Sequence, residues 1–145
     1  MKLLDYVGTS ATLRALQMAN EIQSRTATKL RPFGLNLTEA LIVISAFVEP
    51  NKRVRPSAVA EALSTSRGNV SHGISKLCEQ GFITRLDRGS DARSSEITTT
   101  SKGSALAVKL MAAFNDLEEY FDEQPKFDCK AVRHSSPASQ PPPHP

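Results

Sequence analysis

The stretch that most constrains this chain runs from residue 56 to residue 102, PSAVAEALSTSRGNVSHGISKLCEQGFITRLDRGSDARSSEITTTSK. Two short helical patterns meet across a tight turn, and two β-prone runs come after them with a polar, basic loop between. In the second helical pattern, residues 66–80, Val70, Ile74, Leu77 and Cys78 fall at i, i+4, i+7 and i+8. That is one stripe of a helix with 3.6 residues per turn. Ser66 supplies an N-cap oxygen for an orphan amide, and Gly81 stands where a left-handed residue ends a helix. A single stripe asks for a core on one side only.

The opposite face carries Gly68, His72, Ser75, Lys76 and Glu79, flanked by Asn69 and Ser71. It is polar, built of short side chains and uncharged over most of its first two turns. An ordinary solvated helix face is richer in Glu and Lys paired four apart. Short hydrogen-bonding side chains near a helix N-terminus suit a DNA major groove, where Asn, Ser and Arg read base edges. From the helix alone, an exposed face of no special use stands level with that reading.

The residues after the helix shift the balance. Residues 82–86, FITRL, and 95–99, SEITT, are strand-like runs around the loop DRGSDARS. A hairpin with a basic tip directly after such a helix is a winged helix-turn-helix pattern. Arg93 near the tip suits a narrow minor groove. Asp91, two residues earlier, shares its strand face and can hold the guanidinium. Taken alone, Arg88 and Arg93 read better as ordinary solvated loop charge.

Taken together, these residues resemble the MarR family of winged-helix regulators, over about residues 13–121. The resemblance rests on Leu63, Ser66-Arg67, Val70-Ser71, the run LCEQGF from Leu77 to Phe82, the wing pair Asp91 and Arg93, and the exit ITTTSKG from Ile97 to Gly103. It implies a mainly α fold with a small β-hairpin wing, homodimeric through its N- and C-terminal helices. It also implies binding of pseudo-palindromic double-stranded DNA, with release by a small-molecule effector or by oxidation. Two positions depart from the pattern. Ala92 stands where a basic residue is common, and Gly73 sits mid-helix, at a cost of about 1 kcal/mol relative to Ala, where it leaves a bare patch.

The organisation expected from these patterns divides the chain into four parts. Residues 1–34 are a dimerisation helix, 35–100 the winged helix-turn-helix lobe, 101–124 a second dimerisation helix, and 125–145 a Ser/Pro-rich tail without fixed structure. Residues 10–31 read as one long helix too apolar for a one-sided surface element, broken by Pro32 and Gly34. Thr38 is expected to cap a buried helix over residues 39–48, LIVISAFV being apolar nearly all round. A run through Val54 is placed to pair with the wing. Pro56 suits the first turn of the next helix, with Ala58, Val59, Ala62 and Leu63 inward. Leu106, Leu110, Ala113, Leu117 and Phe121 mark one face of the last helix. Five acids between Asp116 and Glu123 oppose its dipole, which calls for a basic partner such as Arg14 or Arg25 of another subunit.

Composition agrees with one domain of 145 residues and an ordinary 39% hydrophobic content. The formal charge of +3 is modest, but residues 51–93 hold eight basic and four acidic side chains. Basic charge therefore gathers in the expected binding unit. No apolar run reaches membrane-span length, and MKLLDYVGTS does not read as a signal peptide. Two cysteines point to a reducing cytoplasm without disulfides. Cys78 on the inward stripe reads as an inert thiol, with an oxidation switch as the lesser alternative.

No His/Cys/Asp/Glu spacing suggests a metal site, and no nucleotide or nucleophile motif suggests an enzyme. The expected function is a DNA-binding transcriptional repressor without cofactor. The rival is a winged helix turned protein–protein module, which the modest charge excess, Gly73 and Ala92 leave open. Arg67, Asn69, Ser71 and His72 are expected at base edges, Ser66 and Lys76 at phosphates, and Arg93 in the minor groove. Gly68, Ser75, Arg88 and Asp91 complete the expected surface.

Overall fold

The computed structural model describes residues 2–86 and 95–124. Helices α1 (Leu3–Thr9) and α2 (Ala11–Leu30) lead through a short 3-10 turn (Arg31–Phe33) to α3 (Leu37–Val48), α4 (Pro56–Ala62) and α5 (Arg67–Glu79). Strands β1 (Ile83–Leu86) and β2 (Glu96–Thr99) come next, and α6 (Ser101–Asp122) closes the described chain. The mainly α fold with a small hairpin is the one expected.

Helix α3 is the hub. It packs against α2, α5, α6 and β2, and Ala40, Ile42, Val43 and Ala46 are buried. Its start differs from expectation. Asn36, not Thr38, is the N-cap: its side chain accepts from the Glu39 amide at 2.9 Å, and the Glu39 carboxylate accepts from the Asn36 amide at 3.0 Å. This capping box satisfies two orphan donors at once, which a Thr two residues further on does not.

The N-terminal end holds one element more than expected. Ser10 starts the long helix where the sequence places it, its hydroxyl accepting from the Leu13 amide at 3.3 Å to cap α2. The residues before it form α1, which the sequence pattern did not reveal. In α4 the buried residues are Val59 and Ala60, with Leu63 half-buried, whereas Ala58 and Ala62 are exposed. The core-facing arc of α4 takes in Val59, Ala60 and Leu63, and Ala58 and Ala62 fall beyond its edge.

The hairpin pairs Ile83 with Thr99 and Leu86 with Glu96 in antiparallel register. Val54 adds a bridge to Ile97, with paired backbone hydrogen bonds of 3.1 and 2.9 Å, as the sequence suggested. Helix α6 begins at a crowded corner. Thr100 Oγ1 accepts from the Gly103 amide at 3.0 Å and donates to the Gly81 carbonyl at 2.6 Å. Gly103 lies so close to Phe82 that a Cβ there would collide with the Phe82 carbonyl. The hairpin and α6 are thereby fixed to the end of α5.

Within the chain, α2 meets the C-terminal half of α6 at two points. Lys29 pairs with Asp116 at 2.7 Å, and the Arg25 guanidinium lies 3.9 Å above the Tyr120 ring.

Candidate nucleic-acid interface

Helices α4 and α5 form the helix-turn-helix. Between them Ser64 adopts a left-handed φ of 49°, and the turn closes with Thr65 donating to the Ala60 carbonyl at 3.0 Å. Ser66 then caps α5, its hydroxyl accepting from the Asn69 amide at 3.1 Å. Val70, Ile74 and Leu77 are completely buried against the core, and Cys78 is half-buried beside them. Gly81, with φ of 76°, ends the helix as expected.

Burying that stripe rolls the other face outward. Ser66, Arg67, Gly68, Asn69, Ser71, His72 and Ser75 are all exposed along one side and the N-terminal end of α5. The helix dipole adds positive potential at that end. Several of these polar groups are already held locally. Asn69 Nδ2 donates to Thr65 Oγ1 at 3.2 Å, and Ser75 donates to the Ser71 carbonyl at 3.1 Å. Such bonds are weak and exchangeable, and they order the side chains of an exposed face without closing it.

Two residues differ from their expected settings. Gly73 does not leave a bare patch: it is buried, and a Cβ there would stand 2.9 Å from Ile42 Cδ1 and 3.6 Å from Glu39 Cγ. The missing side chain lets α5 approach α3. Lys76 is half-buried, and its ammonium donates to both Glu39 carboxylate oxygens at 3.1 and 3.0 Å and to the Gly34 carbonyl at 3.3 Å. Glu39 is a residue that sequence reasoning misses. The spacing Asn36-x-x-Glu39 carries its capping role, but nothing local reveals its pairing with a lysine 37 residues away.

Arg88, Asp91, Arg93 and Ala92 lie outside the described residues, as does Cys129. Lys52 and Arg53 are exposed beside the lobe, with Lys52 donating to the Phe47 carbonyl at 2.6 Å. Among the described residues, no group of His, Cys, Asp or Glu is arranged to hold a metal ion, and no single helix is long and apolar enough to cross a membrane.

A buried stripe, an exposed polar face at a helix N-terminus and a hairpin pinned to the helix end define a fold that can be compared as a whole. A MarR-family transcriptional regulator from Rhodococcus sp. RHA1 superposes with a TM-score of 0.71 at 20% identity, over 92% of this chain and 93% of that one. The fold is that of the MarR regulators. The MarR fold of the Staphylococcus aureus MepR–DNA complex matches with a TM-score of 0.72 at 17% identity, over 86% of this chain and 90% of that one. CouR from Rhodococcus jostii RHA1 bound to p-coumaroyl-CoA gives 0.72 at 18% identity, over 88% and 89%. In sequence, the HTH-type transcriptional regulator PapX of Escherichia coli is 25% identical over 100 residues. That alignment takes in 69% of this chain but only 61% of PapX, so the chain spans about three fifths of this relative. No family model matches.

Proposed function

We propose that the protein is a transcriptional regulator, acting as a repressor, that binds pseudo-palindromic duplex DNA as a homodimer. One observation carries the reading. The residues of α5 divide into a fully buried stripe and an exposed N-terminal face that holds Arg67, Asn69, Ser71 and His72. These side chains are of the kinds that read base edges. The likeness in fold to MepR, which has been seen with DNA, and the relationship to PapX support it.

In this reading residues 35–100 are the DNA-binding lobe, with residues 1–34 and 101–124 forming the dimer. Apolar side chains left in solvent support such a dimer: Leu3, Leu4, Tyr6, Leu16 and Ile22 on the N-terminal helices, and Val108 and Met111 on α6. A two-fold pair would place its recognition helices in successive major grooves about 34–36 Å apart. Arg67, Asn69, Ser71 and His72 would reach base edges, Ser66 phosphate, and Arg88 and Arg93 of the wing the backbone and minor groove, with Asp91 orienting Arg93. The protein would work in the cytoplasm, without a cofactor.

A cavity of about 550 Å³ lies between α2 and the start of α3, lined by Gln23, Thr26, Arg31, Leu35 and Asn36 among others. It is of a size that takes a small effector, and the CouR complex supports ligand control on this fold. Occupancy there would favour one spacing of the two lobes over another and so weaken DNA binding.

Selection of duplexes from a random pool tests the reading. An enriched inverted repeat is expected, bound with strong salt dependence. Replacing Arg67 by Ala should cost about 1–3 kcal/mol and relax specificity at one position of each half-site. No enrichment together with a flat salt response would point to a protein-binding winged helix instead.

A further inference from the structure

Lys76 is the basic residue of α5 that sequence alone assigns to phosphate, yet it faces the protein. Its ammonium is held by three acceptors: Glu39 Oε1, Glu39 Oε2 and the Gly34 carbonyl. Glu39 is 3% exposed. A carboxylate so deep in the core is tolerated only when paired and hydrogen-bonded. It meets that condition with two partners, because its Oε2 also accepts from the Asn36 amide. Gly73 adds a second contact at the same crossing, since only a residue without a side chain brings α5 this near Ile42 and Glu39.

We propose that Lys76 and Glu39 are positioning residues that set the depth and roll of the recognition helix, and that Lys76 is not a phosphate contact. The inference rests on the DNA-binding reading above. Apolar packing of Val70, Ile74 and Leu77 holds α5 to the core but is non-directional. A carboxylate tied to the first turn of α3 adds direction. It fixes where the third turn of α5 sits, and hence the angle at which Arg67 to His72 leave the surface. Release of the clamp therefore lowers discrimination between sequences more than it lowers attraction for DNA in general.

The test uses the full chain as wild type, Lys76→Met, Glu39→Gln and the double variant. Affinity is measured across a salt series for a duplex selected by the wild type and for a random-sequence duplex of equal length. Glu39→Gln keeps an acceptor for the Asn36 amide and removes the charge that holds the ammonium, so it remains informative if Lys76→Met folds poorly. The ratio of selected to random affinity is expected to fall about tenfold in each single variant, the scale of one mismatched base pair. The double variant should be no worse than either single one, with the salt slope unchanged. A phosphate contact would instead show as equal loss on both duplexes in Lys76→Met, with the slope smaller by about 0.9. That result, or an intact ratio in Glu39→Gln, overturns the proposal. A wild type without salt-dependent duplex affinity removes the DNA-binding reading itself, a failure seen before any variant is compared.

Discussion

Helices α2 and α5 are both amphipathic, and they meet opposite fates in the single chain. Over thirteen residues α5 buries Val70, Gly73, Ile74 and Leu77. Over twenty residues α2 buries only Thr26 and Leu30, both in its C-terminal third. Leu16 is 56% exposed, and Leu3 and Leu4 just upstream are 76% and 82% exposed. Apolar surface left in water is costly at roughly 25 cal/mol per Å², and a cluster of this kind marks a surface meant to be covered. The contrast separates a lobe that completes its own core from a limb that does not. Under the dimer reading, stability of the first is a property of one chain, and stability of the second depends on protein concentration.

The largest expected effect lies at the corner that joins hairpin to α6. Gly103→Ala drives a Cβ into the backbone of Phe82, which no rotamer change relieves. A loss of about 3 kcal/mol or more is expected in denaturant unfolding. Next is a matched pair of truncations. Ile74→Ala empties a fully buried site in the lobe and should cost about 2–5 kcal/mol. Leu16→Ala should cost less than about 0.5 kcal/mol in the isolated protomer and weaken dimerisation by roughly tenfold if Leu16 anchors the interface. Unfolding at low concentration and sedimentation equilibrium separate the two quantities. A large protomer loss for Leu16→Ala would break the comparison, because it would mean that the limb has a partner within its own chain.

The lobe is more legible in sequence than the limb for the same reason. Stripe, cap and stop of α5 are local: Val70, Ile74 and Leu77 at helical spacing, Ser66 before them and Gly81 after. The exit through Ile97 to Gly103 and the bridge at Val54 are likewise readable, because strand register is set by short-range alternation. Failures come where a residue's role is decided by distant chain. Lys76 reads as a phosphate contact, with no sign of the Glu39 that α3 brings to it, and Gly73 reads as a bare patch until Ile42 fills the space. Asn36 is a different kind of miss. Its capping box with Glu39 is local and present in the sequence, and Thr38 is preferred only for standing next to the apolar run. Helix α1 escapes because seven residues with no buried side chain carry little periodic signal.

The smallest effect concerns strain, which also divides the two regions. Every described residue with positive φ lies outside α1 and α2: Gly34, Lys52, Ser64 and Gly81. Two of the four are not glycine. Ser64 holds the turn between α4 and α5 at φ of 49°, with its amide donating to the Glu61 carbonyl at 3.1 Å. A left-handed residue with a Cβ costs about 1–2 kcal/mol, which Ser64→Gly removes. Glycine also enlarges the unfolded ensemble, at about 0.4–1 kcal/mol, so the two effects largely cancel. A net gain of no more than about 1 kcal/mol is expected, seen as a small rise in the unfolding midpoint without change in m. The Ser64 side chain makes none of the hydrogen bonds that close the turn or cap α5, so DNA affinity should follow stability and not specificity. A loss of selectivity in Ser64→Gly would show that the strained turn itself aims α5, and would move part of the positioning role from the Glu39–Lys76 pair to the turn.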